Sequence, residues 1–95
     1  MAEVVPGTSD GAREKHVPVV TRDGNLVTVK VGEAEHPMLE GHHIEWIILE
    51  TDQGFHKKDL AVDGKPEAVF ALTEGETPKA AYESCNLHGI WEAVL

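Results

Sequence analysis

Ninety-five residues, a net charge of −9 and a single cysteine exclude several classes at once. A chain of this length reads as one small domain. Its acidity disfavours nucleic acid and anionic membrane surfaces as partners, and a lone Cys85 rules out an internal disulfide framework. Hydrophobic residues make up 41% of the chain, enough for a core. Stability at this size is small, on the order of 5–10 kcal/mol, so a metal ion or a partner subunit would add usefully to it. A lone thiol fits a reducing cytoplasm. The opening MAEVVPGTSDGAREK has no apolar core of signal-peptide length, and no apolar run is long enough to span a bilayer.

Residues 1–12 are small, polar and punctuated by Gly and Pro, and read as a flexible lead-in to a domain over 13–95. HVPVVT (16–21) is β-branched, with Pro18 marking a strand start or an edge. RDGN (22–25) is a turn, and LVTVKV (26–31) alternates with period two, so the three together predict a hairpin. HHIEWIILET (42–51) is the strongest strand; strict alternation puts Ile44, Trp46 and Ile48 on one face and His43, Glu45, Ile47 and Leu49 on the other. FHKKDLAV (55–62) and EAVFAL (67–72) follow as strands separated by VDGKP. KAAYESCN (79–86) has helix-forming residues, but its place among strands predicts a short strand. GIWEAVL closes the chain. Six or seven short strands with turns between them predict an antiparallel β-sandwich with no long helix. Trp46, Trp91, Ile44, Ile48, Phe70 and Leu72 read as core.

The unusual feature is histidine. The stretch EHPMLEGHHIEWI (35–47) holds three in eight residues, two of them adjacent. Neighbours on a strand point to opposite faces, so His42 and His43 serve as one ligand and one bystander. Pro37 keeps the backbone after His36 out of a helix, which lets His36 and His42 flank one loop. CNLHG (85–89) adds Cys85 and His88 three apart in a tight turn that Gly89 leaves with positive φ. Taken alone, CNLHG reads as a buried structural Cys beside a hydrogen-bonded His rather than as a metal site. His56, in the charged FHKKD, reads as a solvated surface residue. His16, His36, His42, Cys85 and His88 form a mixed thiolate–imidazole donor set. Five such donors suit iron with one open position better than a closed tetrahedral zinc site.

EKHVPV (14–19), HPMLEGHHIEWI (36–47) and AYESCNLHGIW (81–91), in this order, resemble superoxide reductase, the iron domain of desulfoferrodoxin and neelaredoxin. The resemblance runs from about Arg13 to Trp91. It implies a seven-stranded immunoglobulin-like β-sandwich and one mononuclear iron. The iron would be held by four imidazoles, from His16, His36, His42 and His88, and by the Cys85 thiolate. It also implies reduction of superoxide to hydrogen peroxide at the open position trans to sulfur. The electron would come from a small redox protein, commonly rubredoxin. Glu14 would occupy the sixth position of the ferric form, with Lys15 held near the vacant site. Many desulfoferrodoxins carry a second iron on four cysteines; one cysteine cannot build that centre, so the resemblance is to the one-iron kind.

The residue types suit such chemistry. A thiolate donates electron density to iron, as in thiolate-ligated haem, and neutral imidazoles leave the ferrous centre's charge moderate. Screening limits the repulsion of superoxide by the acidic chain to about 8 Å at physiological salt. One lysine close to the iron can therefore dominate; Lys15 is the candidate, with Lys57 and Lys58 less specific alternatives. Asn86 and Leu87 are expected to direct backbone N–H groups at the sulfur. A cytoplasmic homodimer or homotetramer is the expected assembly, since a small sandwich exposes edge strands. Two other readings use the same residues: a non-catalytic iron protein that carries electrons, and a structural zinc module.

Overall fold

A computed structural model describes residues 17–32 and 37–95. Among them are seven strands and no helix: β1 (Pro18–Asp23), β2 (Leu26–Val31), β3 (Ile44–Thr51), β4 (Gly54–Asp59), β5 (Glu67–Ala71), β6 (Pro78–Cys85) and β7 (Gly89–Val94). They form two antiparallel sheets, β1-β2-β5 and β4-β3-β6-β7. This is the antiparallel sandwich expected from the strand count, in the seven-stranded immunoglobulin-like form that the resemblance implies.

The β1–β2 hairpin closes over two residues, with Asp23 opposite Leu26 and Gly24 at φ 62°, the left-handed first position of a II′-type turn. Pro18 opens edge strand β1, where its missing N–H costs no ladder bond. The alternation of β2 does what its pattern demands: Val27, Val29 and Val31 are fully buried. They meet Ile44, Ile47 and Leu49 of β3, Phe70 of β5, and Ala81 and Cys85 of β6 in one core. The strand over 79–86 is not short. At eight residues β6 matches β3 in length, because it lies between β3 and β7 and is hydrogen-bonded on both sides.

Strict alternation fails in β3. Ile44 pairs with Cys85 and Trp46 with Ser84, so Glu45 is an extra residue, a bulge. Beyond it the inward parity is reversed: Ile47, Leu49 and Thr51 are buried, while Trp46 and Ile48 turn to the outer face and are only half-buried. The core assignment of Trp46 and Ile48 is therefore corrected; Ile44, Phe70, Leu72 and Trp91 are buried as expected. The extra residue is also held outside the ladder, since the Leu60 N–H donates to the Glu45 carbonyl at 3.0 Å and the Ser84 hydroxyl to its carboxylate at 3.0 Å.

Candidate metal centre

The bulge lies beside the site. Cys85 ends β6 opposite Ile44 on one side and Gly89 on the other, on the core face, with 2% of its surface exposed. Asn86, Leu87 and His88 form the three-residue turn into β7, and Gly89 leaves it at φ 81°, as its place after the histidine predicts. His42 arrives from the opposite side. It does not lie in β3. It sits two residues earlier in a tight turn, where Leu39 and His42 exchange backbone hydrogen bonds of 2.9 and 3.1 Å.

These two turns bring three donors together. The ligand atoms of His42, Cys85 and His88 all lie within 4.8 Å of one another. The Cys85 Sγ is 3.8 Å from His88 Nδ1. The rings of His42 and His88 are 5.1 Å apart, with their planes at 78°. Bonds of roughly 2.0–2.3 Å keep the donors of a single ion within about 4.6 Å, so this trio fits a metal with little movement. A thiolate with two imidazoles is also the donor chemistry of a transition metal, and neither Mg²⁺ nor Ca²⁺ selects it.

Burial pushes the Cys85 thiol up. The backbone N–H groups of Leu87 and His88 act against that rise, while Glu83 and Glu45 add to it. The N–H donors at sulfur are thus those of Leu87 and His88, one residue further along than the expected Asn86 and Leu87. Burial likewise pushes Glu83 up to about 9, two residues before Cys85 on the inward face of β6. Sequence reasoning passed over this carboxyl, although its even spacing with Ala81 and Cys85 marks it as inward.

Asn86 has a different task. Its N–H donates to the His43 carbonyl at 3.2 Å, its Oδ1 accepts from the His43 N–H at 2.9 Å, and its Nδ2 donates to the Gly41 carbonyl at 3.1 Å. It ties the cysteine turn to the histidine turn. His43 is bonded elsewhere, its Nδ1 donating to the Leu39 carbonyl at 3.0 Å. Of the adjacent pair, His42 joins the cluster and His43 does not. Trp91 closes the second turn, its indole N–H donating to the His88 carbonyl at 3.2 Å. Met38 braces the approach to β3, its sulfur accepting from the Ile44 N–H at 3.4 Å.

Glu14, Lys15, His16 and His36 lie outside the described residues. Lys57 and Lys58 are engaged on β4. Lys57 pairs with Asp59 at 3.5 Å and lies 5.8 Å from the Trp46 ring; Lys58 reaches the Val69 carbonyl and lies 5.4 Å from the Phe70 ring.

His56 is not a simple solvated residue. It is half-buried, with Nε2 2.8 Å from Glu76 Oε2. The Glu76 carboxylate also accepts from the Thr51 hydroxyl at 2.5 Å and from the Thr73 N–H at 3.1 Å. Thr51 ends β3 at the pole opposite the donor trio, so this is a separate staple between the β3–β4 turn and the β5–β6 connection.

A family model described as desulfoferrodoxin matches residues 8–94. The chain belongs to the desulfoferrodoxin family. It is 45% identical to the desulfoferrodoxin of Clostridium acetobutylicum over 93 residues, which is 98% of this chain and 72% of that protein. It is 37% identical to the superoxide reductase of Thermococcus kodakarensis, covering 90% of this chain and 89% of that one. Among solved structures, the superoxide reductase from Treponema pallidum superposes with a TM-score of 0.92 at 51% identity, over 95% of this chain and 74% of that chain. In this desulfoferrodoxin-family chain the His42–Cys85–His88 cluster, a candidate metal site, lies at one end of the sandwich. Among the described residues no helix is long and apolar enough to cross a membrane.

Proposed function

We propose that the chain is a superoxide reductase, which adds one electron and two protons to superoxide and releases hydrogen peroxide. The observation that carries this reading is the convergence of His42, Cys85 and His88 in a chain whose relatives include named superoxide reductases. The proposed centre is one iron per chain, with imidazoles from His16, His36, His42 and His88 and the thiolate of Cys85. When bound, the iron supplies the electron and an open position for the substrate. The protein does the rest. The Leu87 and His88 N–H groups favour the charged form of the sulfur and so oppose the upward push of burial. Asn86 and Trp91 lock the two turns that carry the donors. Lys15 draws the anion toward the open position and Glu14 covers it. Residues 13–95 form the iron domain and 1–12 the lead-in. A small redox protein such as rubredoxin supplies electrons, and the chain works as a cytoplasmic homo-oligomer.

The test is product stoichiometry, using pre-reduced, iron-loaded protein and a known dose of superoxide without oxygen. One peroxide per superoxide with no oxygen released is the expected result. One peroxide and one oxygen from every two superoxides would mean dismutation. Decay no faster than in buffer would move the assignment to an electron carrier. Zinc with no visible absorption would favour the structural module, because zinc is d¹⁰.

A further inference from the structure

The bulge in β3 puts a carboxylate where regular pairing would place none. Ile44 is opposite Cys85 and Trp46 is opposite Ser84, so Glu45 stands between two rungs, beside the end of β6 that carries the sulfur. Its backbone is fixed without help from its side chain, because the Leu60 N–H donates to the Glu45 carbonyl at 3.0 Å. The carboxylate is held all the same: the Ser84 hydroxyl donates to its Oε1 at 3.0 Å. Glu45 is exposed and Ser84 is buried, so this bond draws the end of the side chain down onto the sheet. Ser84 adjoins Cys85. A charge that could swing into water is instead pinned to the residue next to the sulfur.

We propose that Glu45, anchored by Ser84, is a positioning residue of the metal centre, whose fixed negative charge lowers the reduction potential of an iron bound through Cys85. The inference rests on the iron reading above and deepens it. Reduction of ferric to ferrous iron adds one negative charge to the iron–thiolate unit. A nearby anion opposes that addition, so it favours the ferric form and makes the ferrous form a stronger reductant. Net charge and hydrogen bonding around sulfur are the means by which a protein sets the potential of thiolate-bound iron.

The metal-free thiol responds to the same charge. Glu45 adds to the rise that burial imposes on Cys85, while the Leu87 and His88 N–H groups act against it. Both effects of Glu45 have one sign, because each disfavours added negative charge at the sulfur. The sulfur is therefore set between two opposed influences, N–H dipoles from its own turn and a carboxylate from β3. A packing role would need the shape of the side chain and not its charge. Glutamine separates the two: it keeps an acceptor oxygen for Ser84 and loses only the charge.

Redox titration of the full, iron-loaded chain, followed by its visible absorption, tests this without superoxide. Glu45→Gln should change the ferric-to-ferrous ratio at a fixed poise about threefold in favour of ferrous, which is a rise of about 28 mV in midpoint potential. Ser84→Ala keeps the charge but releases it, and should raise the potential by a smaller amount. Glu45→Asp keeps the charge and should stay closer to the parent than Glu45→Gln does. Glu74→Gln removes an equal charge from an exposed position in the β5–β6 connection, at the far pole. It should move the potential by less than about a third as much, because distant exposed charges are screened. Unchanged circular dichroism and iron content would verify the fold of each variant. A potential unmoved by Glu45→Gln, or moved as far by Glu74→Gln, would overturn the inference and leave the iron reading intact. A parent with no iron couple to titrate would overturn both.

Discussion

Asn86 and His43, forty-three residues apart, hold each other from both sides: the Asn86 N–H donates to the His43 carbonyl at 3.2 Å, and the His43 N–H donates to the Asn86 side chain at 2.9 Å. Each residue is next to a member of the donor trio, Asn86 beside Cys85 and His43 beside His42. The clamp therefore sets the distance between two loops that have no covalent reason to stay together. Asn86→Ala keeps the first bond and loses the second, along with the bond to Gly41. It should cost about 1 kcal/mol of stability and weaken metal retention by about tenfold or more. Competition with a chelator, alongside thermal melting, measures both; a variant that melts lower yet holds metal as the parent does would limit Asn86 to folding.

The adjacent histidines make opposite predictions. His42→Ala removes a donor and should abolish stoichiometric iron binding. His43→Ala removes only the bond to the Leu39 carbonyl and should keep iron and its visible absorption. Loss of iron from both variants would place His43 in the centre too.

Glu76 gives a pH dependence away from the metal. Hydrogen bonds from Thr51 and then His56 hold its carboxyl down from the ordinary 4.5 to about 2, with burial opposing them. A depressed carboxyl stabilises the fold above its unfolded value and loses that contribution as pH falls toward the folded one. The melting temperature of the parent should thus exceed that of Glu76→Gln at pH 6, and the gap should close between about pH 4.5 and pH 2. Comparing the two proteins cancels the acid sensitivity of the metal site. A gap that stays constant across the range would remove Glu76 from the titration.

Lys15 and Glu14 are separable by what they change. Lys15→Ala should slow the second-order reaction with superoxide and flatten its dependence on salt, because a steering charge acts through the screened field. Glu14→Ala should move the ferric absorption spectrum more than the rate. Stopped-flow rates at several ionic strengths, with spectra of the oxidised forms, distinguish the two. An unchanged rate for Lys15→Ala at low salt would dismiss steering.

Local chemistry carried most of the fold and half of the site. Alternating Val27, Val29 and Val31 state which way β2 faces, and Gly24 and Gly89 state where the chain turns, because period and φ are properties of neighbours in sequence. Cys85 and His88 share one turn, so their spacing allowed a shared point without requiring it. What strand pairing decided is different in kind. The bulge at Glu45 depends on how β3 registers against β6, and it alone reverses which of Ile47 and Ile48 is inside. The Asn86–His43 clamp and the Glu76–Thr51–His56 staple join residues 20 to 43 apart. No local pattern announces a hydrogen bond across that separation, because both partners are ordinary polar residues until the sheets bring them within reach.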